Sequence, residues 1–261
     1  MKIALLISTY NWPKALELVL KSAADQSSIP DEILIADDGS TEETAAVIEK
    51  FRQENLPLIH TWQEDRGFHK SAVLNKAVAK SSSDYIIQID GDCVLHKDFM
   101  KDHLAMVREN VFLYGSRVNI TAGALEEVME KELYSFSFFS GLIKKRTRNI
   151  RIPAFRDTYR ESNVFSSKVR GCNLSYWRKD FIEVNGYDED MEGWGREDSE
   201  FVIRLLNKGI KGKRLRYGGI IYHLYHPENS RERLAENEKI QKLSIQRKIV
   251  RCKNGVEKYL K

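Results

Sequence analysis

Two carboxylates one residue apart, in Ile89-Asp90-Gly91-Asp92, carry the sharpest chemical signal in the chain. They close the apolar run Tyr85-Ile86-Ile87-Gln88-Ile89, which predicts a buried strand, so the pair sits where a strand leaves its sheet. In open α/β sheets, ligands bind at that edge. Alternation along an extended segment would place Asp90 and Asp92 on one side, with Gly91 between them. Two hard oxygen donors converging there suit Mn²⁺ or Mg²⁺ holding a diphosphate. A solvated Asp-Gly-Asp turn uses the same residues, and the pair alone does not choose.

Four further constellations can do chemistry. Asp38, in Asp37-Asp38-Gly39-Ser40, ends an apolar run; its carboxylate could accept the ring N–H of a pyrimidine base, or merely cap the turn. Asp37 reads as its structural partner. Arg66 and Lys70 lie in a polar stretch, residues 63–70, that leads into a helix, where cations and a helix start both favour anions. A solvated charged loop has the same composition. Glu192-Gly193-Trp194-Gly195-Arg196-Glu197-Asp198 sets a large aromatic between two glycines and beside three acids. An aromatic ring covers the C–H face of a sugar while acids take its hydroxyls, and an acid at the following helix start could deprotonate a hydroxyl. Acids also simply favour helix starts. His223 and His226, three apart, could share one metal ion or serve as filler.

The elements that position these groups follow from periodicity. Residues 3–8 and 32–36 are continuous apolar runs, and residues 58–62 and 85–89 complete four predicted strands. Helices are expected over residues 13–24, 41–51 and 69–80, the first capped by Asn11 with Pro13 in its first turn, the second opened by a Ser40/Glu43 capping box. This alternation predicts right-handed parallel crossovers and a doubly wound, mostly parallel α/β sheet. The remainder is less regular: a strand over 112–119, a helix over 126–139, a basic loop over 144–160, an amphipathic helix over 197–207 and a helical tail from 231. The expected organisation is one compact unit with lobes 1–120 and 121–230 and the tail 231–261.

Composition narrows the function classes. Of 261 residues, 42% are apolar and 31% charged, an ordinary globular balance, and a net charge of +4 is too small to argue for nucleic acid. Three scattered cysteines in no CxxC pattern argue for a reducing compartment and against a disulfide framework. The apolar N-terminus is too short for a signal segment, and no run approaches the roughly 20 apolar residues a membrane span needs. The expected location is cytoplasmic. Residues 136–146 run from apolar to basic and could rest on anionic lipid at the membrane's inner face, although a core helix with a basic loop fits as well.

Taken together, Ser8-Thr9-Tyr10-Asn11, Asp37-Asp38-Gly39-Ser40, Arg66-Gly67 and Asp90-Gly91-Asp92 resemble, in order and spacing, the family 2 glycosyltransferases of GT-A fold. Gly171-Cys172-Asn173-Leu174-Ser175, Tyr187-Asp188 and Trp194-Gly195-Arg196-Glu197-Asp198 are similar to the C-terminal half of galactosyltransferases and chondroitin-polymerase-like enzymes. The resemblance covers residues 3 to about 230. It implies that Thr9, Tyr10 and Asp38 line the base, that Arg66 helps hold the nucleotide, and that Asp90 meets the ribose or donor sugar. It implies Asp92 as principal metal ligand with His223 and His226 as partners, and Asp198 as catalytic base. Where related galactosyltransferases continue with further aspartates, this chain has Ser199-Glu200, which bears on acceptor contacts.

The reaction this implies is an inverting transfer of a hexose or N-acetylhexosamine from a UDP-sugar to a hydroxyl of a saccharide or lipid-linked saccharide, as in bacterial surface polysaccharide or lipooligosaccharide synthesis. Mn²⁺ or Mg²⁺ would neutralise the leaving diphosphate. Glu192, Trp194 and Glu197 would orient the acceptor. Two competitors remain: a sugar nucleotidyltransferase, which usually carries a Gly-rich loop absent from residues 8–13, and a non-catalytic sugar- or nucleotide-binding protein.

Overall fold

Alternation decides where the side chains of the first strand go. In β1 (Ile3–Thr9), Leu5 and Ile7 enter one hydrophobic core while Ala4 and Leu6 enter another, so a strand covered on both faces needs an unbroken apolar run. The computed structural model describes residues 1–227 and 230–260. After β1 come α1 (Pro13–Ala24), β2 (Glu32–Asp37), α2 (Glu42–Gln53), β3 (Leu58–Trp62), α3 (Lys70–Lys80) and β4 (Tyr85–Asp90), in the expected strand–helix order. Then follow β5 (Cys93–Leu95), α4 (Phe99–Leu104), β6 (Val111–Tyr114), β7 (Arg117–Ile120), α5 (Leu125–Glu130) and β8 (Ile143–Lys144). The last elements are β9 (Leu174–Trp177), α6 (Arg178–Glu183), α7 (Glu197–Asn207), β10 (Lys211–Arg214), β11 (Ile221–His223) and α8 (Leu234–Gln246).

Seven strands form the main sheet in the order β10-β6-β9-β4-β1-β2-β3. β4, β1, β2 and β3 run parallel, and β9 runs antiparallel between β4 and β6. The strand order turns back between β1 and β4, the place where doubly wound sheets open a crevice for ligands. There Ser8 pairs with Asp90, and Thr9 pairs with Asp37 on the other side. A second sheet, β5-β11-β7-β8, sets His223 opposite Cys93 and beside Asn119.

Four local expectations change. The predicted strand 112–119 is two strands in two sheets. It breaks at Gly115, whose amide bonds the Asn173 carbonyl at 2.8 Å and whose backbone lies so close to the Asn173 side chain that a β-carbon would not fit. The predicted helix 126–139 stops at Glu130: Glu132 turns left-handed (φ 50°) and the Leu133 amide returns to the Val128 carbonyl. Asn11 does not cap α1. Its side chain accepts the Thr41 amide at 2.9 Å while Ser40 Oγ accepts the Asn11 amide, so the two residues tie the β1 and β2 loops together and no Ser40/Glu43 box forms. Finally, Gly91 and Asp92 form a turn rather than continuing the strand, and Asp90 and Asp92 take separate partners.

Candidate active site

The carboxyl ends of β1, β2 and β4 each deliver an acid or its partner. Asp37 is structural: it accepts the Ser40 amide at 2.8 Å and meets His60 at 3.0 Å. Asp38 is buried and accepts the Gln63 side chain at 2.6 Å and the His69 amide at 2.9 Å. Burial pushes its carboxyl up to about 6 despite those donors. Gly39, left-handed at φ 97°, lets the backbone of Asp65 approach so closely that any side chain would collide with it. The Asp38 turn and the 63–70 loop are thereby held against each other. Tyr10, half exposed, reaches across to the Asp65 carboxylate at 2.8 Å.

At the switch point, Asp90 Oδ1 accepts Ser8 Oγ at 2.9 Å and Lys70 Nζ at 2.7 Å. Burial works against the Lys70 charge, and the carboxylates of Asp90, Asp198 and Glu197 outweigh it, holding the amine well above the ordinary lysine range. Lys70, first residue of α3, thus sits within the field of acids that come from two distant parts of the chain.

One turn further, Asp92 Oδ2 lies 3.3 Å from His223 Nε2 and 3.0 Å from His226 Nε2. Burial would raise the Asp92 carboxyl; the two imidazoles overcome it and bring it down to about 2. The Asp92 carbonyl also accepts the Leu224 amide at 2.9 Å, so the histidine segment is pinned to the acid by backbone as well. His226 Nδ1 lies 2.6 Å from the Pro227 carbonyl, which selects the tautomer that leaves Nε2 facing Asp92, and the edge of Trp12 packs on its ring. Both imidazoles approach the same Asp92 oxygen, and a carboxylate with two imidazoles is a donor set that suits Mn²⁺; Asp92, Cys93 and His223 also bring one ligand atom each within 4.8 Å of one another. Neighbouring Cys93 is pushed up by burial and stays a thiol.

Asp198 occupies the start of α7 yet does not cap it. Its Oδ2 accepts the Gly171 amide at 2.8 Å, from a segment far away in sequence, and Oδ1 accepts Tyr187 Oη at 3.4 Å. A chain of buried hydrogen bonds stands behind that contact: Tyr176 donates to Gln88, and Gln88 Nε2 donates to the Tyr187 oxygen at 2.9 Å. Gln88 also reaches the Gly171 carbonyl at 3.3 Å. Burial raises the Asp198 carboxyl, Lys70 pulls it down and Asp90 pushes it up again. Burial and the adjoining Asp198 carboxylate push Glu197 up to about 7. The turn before the pair needs its glycines, with Gly193 at φ 71° and Gly195 at φ 107°. Glu197 accepts the Gly195 amide at 3.0 Å, and the Arg231 guanidinium lies 5.9 Å from the Trp194 ring centre.

Comparison with known proteins now decides the family. The model of glycosyl transferase family 2 matches residues 4–166, more than half of the chain. The chain is a family 2 glycosyltransferase. A second family model, described as the N-terminal domain of galactosyltransferase, matches residues 156–227 of the glycosyltransferase. Chondroitin synthase of Escherichia coli is 27% identical over 89% of this chain, which spans only 36% of that relative's length. Among solved structures, TarS of S. aureus in complex with UDP superposes with a TM-score of 0.65 at 18% identity, covering 92% of this chain and 64% of that one. A mannosyltransferase from Pyrobaculum calidifontis, in complex with GDP-Man and Mn2+, superposes at 0.61 with 15% identity over 94% and 61%. The fold is GT-A.

In the glycosyltransferase most of the expected residues fall into three groups, with Tyr10 on Asp65 beside them. Asp90, Lys70, Glu197 and Asp198 are brought together, as are Asp92, His223 and His226. Thr9, Asp38 and Gly91 line the strand ends, the Gly91 amide bonding the Ser8 carbonyl at 2.7 Å. Three residues stand apart. Arg66 is exposed and bonds Glu64 at 2.7 Å; Glu192 is exposed, 3.7 Å from His69; Trp194 is half-buried. Sequence reasoning missed Gln88 and Arg117. Gln88 was signalled as the lone polar residue in an apolar strand. Arg117 carried no local signal: burial works against its charge, and acidic groups that include the carboxylates of Asp92 and Asp90 outweigh it.

Proposed function

We propose that this glycosyltransferase is inverting and divalent-metal-dependent, moving a hexose or N-acetylhexosamine from a UDP-sugar to a hydroxyl of a saccharide acceptor. A place in bacterial surface polysaccharide or lipooligosaccharide synthesis is part of the same reading. The observation that carries it is Asp198: a carboxylate turned away from its own helix, anchored by Gly171 and Tyr187, raised by burial, and sharing Lys70 with Asp90. In a single displacement the acceptor oxygen bonds the anomeric carbon as the bond to the diphosphate oxygen breaks, and the hydroxyl proton passes to Asp198. No protein nucleophile is needed. Asp38 would take the ring N–H of uracil, with Thr9 and Tyr10 beside it and Arg66 at the loop edge. Asp90, bonded to Lys70, would meet the ribose or donor sugar. A divalent cation held by Asp92, His223 and His226 would act as Lewis acid toward the leaving diphosphate. Glu197, with Glu192 and Trp194 on the preceding turn, would position the acceptor. The similar TarS structures with UDP and UDP-GlcNAc, and the mannosyltransferase with Mn2+, support the donor class and the metal.

The test is release of free nucleoside diphosphate from a panel of UDP-, GDP- and dTDP-sugars, with Mn²⁺ and with EDTA. Cleavage of a UDP-sugar, lost in EDTA, is the expected result. No release from any donor, together with no metal-dependent UDP binding, would sink the reading.

A further inference from the structure

A cationic surface begins beside the acid pair and runs away from it. Arg170 directly precedes Gly171, whose amide holds Asp198. Arg148 donates to the Arg117 carbonyl at 3.1 Å, and Arg216 donates to the Thr147 carbonyl at 2.6 Å, so the three elements that carry these side chains are tied together. Among the described residues no carboxylate forms an ion pair with Lys145, Arg148, Arg170, Arg214 or Arg216. Burial, followed by Arg214, Arg216, Arg117 and Arg170, holds the Arg148 guanidinium below its ordinary value, and Lys145 is lowered in the same way. Like charges gathered without counter-charges cost stability, so their arrangement asks for an anion.

The far end of this surface is a shallow, open aromatic cleft of about 370 Å³ lined by Phe155, Thr158, Tyr159 and Tyr217. Arg214 lies 5.1 Å from the Tyr159 ring centre and Arg216 lies 5.2 Å from that of Tyr217. The cleft is built rather than incidental. Arg151 and Arg156, which flank Phe155, are both locked on the fully buried carboxylate of Asp102 at 2.9 and 2.8 Å. Tyr217 is held at φ 59°, with its carbonyl accepting the Ile152 amide at 3.0 Å. Aromatic faces cover sugar rings, and guanidinium forks match carboxylates in the plane of two N–H bonds.

We propose that this surface is a distal acceptor subsite for an acidic saccharide, the cleft taking a sugar ring and Arg214 and Arg216 its carboxylate. The inference rests on the acceptor side of the transferase reading above and adds to it the acceptor's charge. A growing acidic chain would lie along Arg148 and Arg170 with its end at Asp198.

The test compares binding of a hexuronic-acid-containing hexasaccharide with that of its carboxyl-reduced, neutral counterpart. The 261-residue wild type and its R214Q/R216Q variant are used, and UDP affinity and melting temperature are measured on the same samples. Wild type should bind the acidic form at least about tenfold tighter, the worth of one charge-assisted hydrogen bond, and lose that margin as salt is raised. R214Q/R216Q should lose the preference while binding UDP and melting like wild type; if that variant melts early, R214K/R216K, which keeps charge but not the fork, replaces it. Equal binding of the two saccharides, or a preference that survives the substitutions, overturns the proposal. So does binding to phosphatidylglycerol vesicles without discrimination between the saccharides, which would make the surface a membrane contact. Loss of UDP binding by the wild type would instead strike the donor reading.

Discussion

At the scale of single residues, the proposed mechanism leans most on Asp198. Asp198→Asn keeps the shape and the Gly171 contact but cannot take a proton. Transfer should fall by roughly 10²- to 10⁴-fold, the usual worth of general-base assistance, while UDP affinity stays within error of wild type. Normal turnover by the variant would end the assignment. The electrostatics add a pH dependence with a definite sign. Burial raises Asp198, and Glu197 beside it stands near 7, so the pair takes up protons as the medium becomes mildly acidic. A base works only when unprotonated; the rate should therefore drop on the acid side at a higher pH than an ordinary aspartate would give, and plateau above it. A rate profile flat down to pH 5 would contradict this. Asp92, held down to about 2, contributes nothing to that limb.

At the scale of elements, the proposed base depends on what holds it. A β-carbon at Gly171 would land on the Asp198 carboxylate. Gly171→Ala should displace the acid, cost about 1–3 kcal/mol in denaturant unfolding by overpacking, and depress turnover more than UDP binding. Helix α7 is anchored by a fully buried ion pair: Arg204 meets Glu200 at 2.8 Å and donates to the Val184 carbonyl, while Ser244 of α8 donates to Glu200. Arg204→Ala strands the Glu200 charge and should cost about 3–5 kcal/mol, whereas the double change to Leu and Met should cost far less; equal losses in urea titrations would refute the argument. The first seven elements were legible because each carries a local pattern, apolar runs for β1, β2 and β4 and 3.6-residue periodicity for α1 and α2. Local caps were legible only as residue types. Asn11 and Ser40 had the right chemistry, but tertiary contact between two loops claimed both. The His223–Asp92 approach depends on β11 lying beside β5, a pairing no local pattern encodes. Arg66 shows the opposite case, a cation whose nearest partner proves to be its neighbour Glu64.

At the scale of the whole molecule, several buried acids are raised together. Asp38 and Asp188 stand near 6 and Glu197 near 7, each chiefly through burial. A carboxyl raised in the folded state binds its proton more tightly there than in the unfolded chain. Its stabilising contribution is complete below the unfolded value and is lost as pH rises through the folded one. The melting temperature of metal-free protein should accordingly decline between pH 5 and pH 8, and Asp188→Asn should flatten part of that slope. A melting temperature that climbs over this range would refute the account. Among the described residues no helix is long and apolar enough to cross a membrane.

The position of β9 also shapes how the protein is made. Strands β4 and β6 both belong to the first 120 residues, yet β9, residues 174–177, stands between them. A chain emerging from the ribosome therefore carries the outer edge of β4 bare while residues 121–173 are still being added. Bare amides on an apolar strand are a template for pairing with another copy. Production of residues 1–120 alone should give sedimenting aggregate rather than half an enzyme, and slow elongation between residues 120 and 177 should lower the soluble yield of the full chain.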